Sequence, residues 1–192
     1  MFIKKVNYLY KFLIIFSLIL PINSSCAEFF KDISNIITIN ESRLSYGVSV
    51  TDINADGNNE FIVTGFGYPN LALGYIDGKL KNIIQEDVFL DRDRKTIGVA
   101  ACDIDKDGFE EIYFLNTDTY SGTKKYSDRL IDKNNNNFFD LFELKKNKEN
   151  LNLTAGRSVV CVDRKGEGEY GIYVANYLSL IHISEPTRQE AI

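Results

Sequence analysis

The chain has 192 residues and a formal net charge of −5, and 44% of its residues are hydrophobic. This length and composition are sufficient for one domain with an adequate core. The acidic balance, with no basic stripe to offset it, argues against nucleic acid as a partner.

Residues 1–27 are predicted to be a secretory signal. Three lysines in the first eleven residues precede the apolar segment Phe12–Leu20, which is too short to span a bilayer. The small residues of Ser25–Ala27 suit cleavage before Glu28. We therefore expect a secreted or extracellular protein (periplasmic or cell-surface in a bacterium), with no membrane span after signal removal. Acylation of Cys26, as in a lipoprotein, and a retained anchor helix stay open as alternatives.

Residues 28–45 are predicted to be a lead-in segment, with a short strand near Phe29–Ile33 and extended chain near Ile36–Asn40. Two similar units follow, at residues 46–95 and 96–153. Their key positions repeat with an offset of 51 residues, so that Asp52 corresponds to Asp103 and Glu60 to Glu111. A fixed period near this length indicates the blades of a β-propeller.

Each unit contains an acidic loop, which we call the first loop (Asp52–Glu60) and the second loop (Asp103–Glu111). The second loop carries carboxylates at positions 1, 3, 5 and 9 and glycine at position 6. Ca²⁺ prefers six to eight oxygen ligands, and alternating acidic residues around a tight turn supply them. The predicted ligands are the side chains of Asp103, Asp105, Asp107 and Glu111 with the Phe109 carbonyl, and in the first loop those of Asp52, Asn54, Asp56 and Glu60 with the Asn58 carbonyl. Because Asn54 is neutral, the first site should be weaker.

An EF-hand would need a glutamate at position 12 and a helix on each side of the loop. Position 12 of the second loop is Phe114, and the flanking residues are β-branched, aromatic or small, which favours strands. The loop is therefore predicted to lie inside a β-hairpin. An Asp/Gly-rich turn that binds no metal is the alternative.

The rest of each unit is predicted to complete a four-stranded blade. In the first unit, Leu71–Ile76 and Lys79–Ile84 flank Asp77-Gly78, a sequence typical of a type I′ turn. In the second unit, the corresponding strands are Arg129–Asp132 and Phe138–Phe142.

A third unit occupies residues 154–177 and is predicted to be a truncated blade. Its loop begins at Asp163 but has Lys165 at position 3 and Gly171 at position 9, so we expect a turn held by local charge pairing without metal. The predicted fold is all-β, a partial β-propeller of about two and a half blades.

Cys102 and Cys161 are predicted to be free or buried thiols. Cys102 precedes the first aspartate of its loop by one residue and Cys161 precedes its own by two. With a side-chain period of two, these positions point to opposite faces of equivalent strands.

Residues 178–192 are predicted to be an artificial tail, because Leu178–Arg188 reads like a translated sequencing adaptor. The only histidine, His182, lies there, so histidine-based catalysis has no support. On this interpretation the natural chain continues beyond Tyr177, and the unpaired sheet edges at the cut would favour aggregation.

Four segments together resemble the cartilage acidic protein family, whose members are secreted proteins with FG-GAP/VCBS-type repeats: Tyr46–Asp52, Gly67–Leu71, Ile97–Asn116 and Ala155–Gly166. The resemblance implies an extracellular, calcium-binding, non-enzymatic protein that makes matrix or receptor contacts. A propeller-based extracellular lyase or hydrolase whose catalytic part lies elsewhere is the alternative function. A cytosolic calcium buffer disagrees with both the signal and Phe114.

Overall fold

A computed structural model describes residues 30–134 and 137–177. The predicted signal (1–27) and the predicted artificial tail (178–192) lie outside the described residues. The chain divides into two compact units, residues 1–33 and 34–192. Within the first unit, the described residues 30–33 form no helix or strand.

The second unit is all-β, as predicted, and its ten described strands form three antiparallel sheets. The first four-stranded sheet, here blade 1, has the order β1 (Val48–Thr51), β2 (Glu60–Val63), β3 (Leu71–Ile76), β4 (Lys79–Asn82). Blade 2 has the order β5 (Thr96–Cys102), β6 (Glu111–Asn116), β7 (Arg129–Asn134), β8 (Asn137–Asp140). The third sheet, here blade 3, pairs β9 (Gly156–Asp163) with β10 (Tyr170–Asn176). The sheets have the form of propeller blades, and they do not close into a ring.

Helical structure is short throughout the described residues. The one α-helix there is α1 (Asp87–Leu90), and the 3₁₀ segments are Ser34–Ile36, Leu141–Glu143 and Lys145–Asn150. None of these is long or apolar enough to cross a membrane.

The two acidic loops close β-hairpins in the same register. Thr51 pairs with Glu60 at the start of the first loop, and Cys102 pairs with Glu111 at the second. The predicted turn at Asp77-Gly78 is also present, since φ is 53° at Asp77 and 75° at Gly78. Positive φ at both central residues is what a type I′ turn requires.

Two predicted strands extend beyond the C-terminal ends of the observed strands. β4 ends at Asn82 instead of Ile84. The Asn82 side chain accepts the hydrogen bond from Ala72 N–H and donates to the Ile84 carbonyl, so that only the backbone bond from Ile83 N–H to the Ala72 carbonyl continues beyond Asn82. β8 ends at Asp140 instead of Phe142. The Asp140 carboxylate accepts hydrogen bonds from Phe142 N–H and Leu130 N–H, and so begins a 3₁₀ turn.

The core lies between the blades, and β6 is buried at all six positions. Its even-numbered residues Ile112 and Phe114 pack in a cluster with Phe89, whose ring meets the Phe114 ring edge-to-face at 5.2 Å. Its odd-numbered residues Tyr113 and Leu115 pack toward blade 3. Both faces of β6 are therefore covered, which explains its nearly continuous apolar sequence.

The first strands of successive blades approach closely. A Cβ atom added to Gly47 would lie 3.0 Å from the Gly98 Cα, and one added to Gly98 would lie 3.2 Å from a methyl group of Val159. Glycine at positions 47 and 98 is therefore a packing requirement of this arrangement.

Cys102 and Cys161 form a disulfide, so the prediction of free thiols was wrong. The prediction assumed that side chains on opposite faces of equivalent strands could not meet. The two cysteines lie on the first strands of neighbouring blades, β5 and β9, which contact each other. Because stacked blades face each other, a side chain on one face of β5 meets a side chain on the opposite face of β9. The two sulfur atoms therefore meet because the Cys102 and Cys161 side chains point to opposite faces of their strands.

Candidate metal site

The second loop is shaped by the carboxylate of Asp103. Its two oxygens accept hydrogen bonds from Lys106 N–H at 2.6 Å and Gly108 N–H at 3.1 Å. The turn needs positive φ at both donors, with values of 67° at Lys106 and 93° at Gly108. Glycine adopts this conformation without steric cost, and the hydrogen bonds to Asp103 hold Lys106 in it.

Three predicted ligands converge in this loop. Asp103, Asp105 and Glu111 each offer one carboxylate oxygen, and these oxygens all lie within 4.8 Å of one another. Because Ca²⁺–oxygen distances are about 2.3–2.6 Å, two oxygens on opposite sides of one ion lie about 5 Å apart. The three side chains therefore fit around a single cation.

Glu111 is the buried member of this group, with 1% of its surface exposed. One carboxylate oxygen accepts a hydrogen bond from Ile104 N–H at 2.7 Å, and the other is buried without a hydrogen-bond partner among the described residues. Burial, helped by the charges of Asp105 and Asp132, raises the pKa of Glu111 to about 8. A buried oxygen without a donor costs free energy that a bound cation would recover.

The other two predicted positions of this loop stand apart from the three oxygens. Asp107 is exposed, and its carboxylate accepts a hydrogen bond from Phe109 N–H at 2.8 Å. Asp107 is not in the group of converging oxygens found among the described residues. The roles of Asp107 and of the Phe109 carbonyl stay predictions.

The first loop folds similarly, but its carboxylates accept hydrogen bonds from backbone and side-chain groups of the same loop. Asp52 accepts from Asp56 N–H and Gly57 N–H, and buried Glu60 accepts from Ile53 N–H at 3.1 Å. The amide side chains of Asn54 and Asn58 both donate to the Asp56 carboxylate, at 3.1 and 3.0 Å. Hydrogen bonds from Asn58 lower the pKa of Asp56.

The predicted carboxylates of the first loop do not converge as those of the second do. Over residues 30–134 and 137–177, the group Asp103, Asp105 and Glu111 is the one acidic cluster with metal-binding spacing. The pKa of Glu60 is raised by burial, and the charges of Asp56 and Asp52 contribute. The ligand set Asp52, Asn54, Asp56, Asn58 and Glu60 stays a prediction.

The loop of the third unit is organised around Asp163. Its carboxylate accepts hydrogen bonds from the backbone N–H groups of Lys165, Gly166, Glu167 and Gly168. Lys165 Nζ lies 3.6 Å from a Glu167 carboxylate oxygen, so the expected charge pairing is present.

Sequence reasoning missed one carboxylate near the second loop, that of Asp132 on β7. Its pKa is raised by burial and by the charges of Asp105 and Asp107, which shows that it shares their electrostatic environment. The loop motif gives no sign of it, because Asp132 comes from another strand. The antiparallel pairing of β6 with β7 is the signal that could have found it.

Comparison with known proteins supports the repeat and the relationship. Residues 30–114 match the profile of the FG-GAP-like repeat. Over 149 residues, covering 72% of this chain, the sequence is 47% identical to cartilage acidic protein 1 of Xenopus tropicalis and 46% identical to that of Homo sapiens. The predicted resemblance to the cartilage acidic protein family is confirmed. The chain spans about a quarter of the length of these relatives, since the match covers 23% and 22% of them.

Proposed function

We propose that this chain is a secreted calcium-binding β-propeller module for extracellular protein, matrix or receptor contacts, with Ca²⁺ in a structural role. The observation that carries the proposal is the buried Glu111 carboxylate, which has one oxygen without a donor and stands beside two further carboxylates. Without a cation, the negative charges of Asp103 and Asp105 repel each other, and the raised pKa of Glu111 leaves its carboxyl group holding a proton near neutral pH. With a cation, the same oxygens become ligands.

The donor set favours Ca²⁺ over softer metals. All three converging groups are carboxylates, which suit hard cations. The chain has no histidine in its blades, and the cysteines of blades 2 and 3 are joined in a disulfide. Asp103, Asp105 and Glu111 would hold the ion, and the ion would supply the positive charge that the loop lacks.

Two observations support the extracellular part of the proposal. Cys102 and Cys161 form a disulfide, and disulfides form and persist in oxidising compartments such as the extracellular space. The signal-like residues 1–27 agree with export. Matrix or receptor contact follows from the family resemblance, and the relatives carry the name cartilage acidic protein.

The expected stabilisation is modest. Extracellular calcium modules bind with dissociation constants of about 10⁻⁴–10⁻³ M. At 10 mM free Ca²⁺, one such site stabilises the folded state by about 1.4–2.7 kcal/mol. For a domain of this size, that corresponds to a rise in Tm of roughly 3–11 °C.

Calorimetric Ca²⁺ titration and thermal unfolding of the full chain test the proposal. We compare the wild type with Glu111→Gln, which keeps the shape of the side chain and removes its charge. Glu110→Gln is the matched control, because Glu110 is the exposed carboxylate next to Glu111. The wild type and Glu110→Gln should bind Ca²⁺ and gain stability, whereas Glu111→Gln should lose the tighter binding step. Equal binding heats in all three proteins, or none in the wild type, would refute the proposed site.

A further inference from the structure

The second loop and the first loop differ outside their own sequences, on the third strand of each blade. In blade 2, Ile112 pairs with Ile131, and continuing this antiparallel register by one residue places Asp132 opposite Glu111. In blade 1, Phe61 pairs with Leu73, and the same step places Gly74 opposite Glu60. Blade 2 therefore has a carboxylate where blade 1 has no side chain.

Blade 1 shows which way a side chain at this position points. A Cβ atom built on Gly74 would lie 3.5 Å from both the Cγ and an Oε atom of Glu60. Cross-strand neighbours in antiparallel pairs share one face of the sheet. The Asp132 side chain therefore stands on the same face of blade 2 as the Glu111 carboxylate.

The nearby lysines are directed elsewhere. Lys133 Nζ donates to the Ile53 carbonyl of the first loop at 3.1 Å. Lys106 Nζ lies 3.5 Å from the Glu169 carboxylate of blade 3. In the described part of the chain, the hydrogen bond that the Asp132 carboxylate accepts comes from the N–H of the next residue, at 2.5 Å. The negative charge of Asp132 therefore remains available to the second loop.

We propose that Asp132 is a fourth carboxylate of the second-loop cation site and acts through a water molecule bound to the ion. This inference rests on the proposed function of the loop. Asp132 does not belong to the group of three oxygens that lie within 4.8 Å of one another in the described residues, and we therefore place it behind these three ligands. Outer carboxylates of this kind orient the ligands and metal-bound water and add negative charge to the site. Asp132 makes the second site tighter than the first, where Gly74 offers no such group.

The test compares Asp132→Asn with Glu110→Gln in the full chain, using Ca²⁺ alone as the probe. Each variant removes one negative charge near the loop, but only Asp132 lies on the third strand opposite Glu111. In calorimetry, the dissociation constant of the tighter Ca²⁺-binding step should be about tenfold higher for Asp132→Asn than for the wild type. We expect less than a threefold change for Glu110→Gln.

A second measurement separates this role from a purely structural one. In calcium-free buffer, Asp132→Asn should keep or raise the Tm, because it removes repulsion from the acidic loop. If the role of Asp132 were purely structural, replacing it with asparagine would lower the Tm of the calcium-free protein. Equal affinities for the two variants, or a lower calcium-free Tm for Asp132→Asn, would overturn the inference. Absence of calcium binding by the wild type would instead refute the proposed function itself.

Discussion

The disulfide between Cys102 and Cys161 should contribute much of the stability of blades 2 and 3. It links β5 to β9 across a sequence separation of 59 residues. In the chain-entropy treatment, a closed loop of this length stabilises the folded state by about 4 kcal/mol at 25 °C. Cys102→Ala together with Cys161→Ala removes the cross-link and leaves no buried polar group, so the loss of stability should be of that size.

Urea unfolding of the full chain measures this loss. The double variant should unfold with a free energy about 4 kcal/mol lower than the wild type, and its m-value should change because the unfolded chain is no longer cross-linked. Cys26→Ala in the uncleaved chain is the matched control, since Cys26 is the third cysteine of the sequence and lies in the predicted signal. Thiol titration of the denatured, unreduced protein should find one thiol, from Cys26, in the uncleaved chain and none after cleavage before Glu28. Three thiols, or a double variant within about 1 kcal/mol of the wild type, would refute the reasoning.

Two further predictions concern the loops. Because burial raises the pKa of Glu111 from 4.5 to about 8, the calcium-free folded state holds a proton that the unfolded state has lost. The stabilisation by this proton is fully present below pH 4.5 and is lost as the pH rises through 8, which lowers the free energy of unfolding by up to about 4–5 kcal/mol. In urea unfolding measured over this pH range, the free energy of unfolding of Glu111→Gln should fall less steeply with pH than that of the wild type. An identical slope in the variant would contradict the assignment. Asn54→Asp gives the first loop a carboxylate at position 3, so the weaker calorimetric step should tighten about three- to tenfold at a cost in calcium-free stability, and unchanged heats would count against a site in that loop.

Much of the fold follows from sequence patterns that are local. The offset of 51 residues, the strand-like flanks of each loop and the Asp77-Gly78 turn together predict four-stranded blades, and the structure has them. Strand ends were less predictable. β8 ends where Asp140 bonds to Phe142 N–H, and a side chain that competes for backbone donors is not visible in a hydrophobic pattern.

The disulfide and the position of Asp132, which sequence reasoning missed, both depend on contacts between separate strands. The disulfide forms because blade 2 stacks on blade 3, so that side chains on opposite faces of equivalent strands meet. The position of Asp132 opposite Glu111 depends on the register between β6 and β7. The repeat offset does not reveal it, because the paired residues Leu73 and Ile131 are 58 positions apart instead of 51. Within the second loop, the convergence of Asp103, Asp105 and Glu111 was predictable because positions 1, 3 and 9 belong to one short hairpin.

The most direct test of the calcium proposal is a crystal structure of the chain grown in 10 mM CaCl₂. We predict an ion in the second loop with oxygens of Asp103, Asp105 and Glu111 at about 2.3–2.6 Å. A second loop that contains only water at this calcium concentration, with the Glu111 oxygen still without a partner, would contradict it.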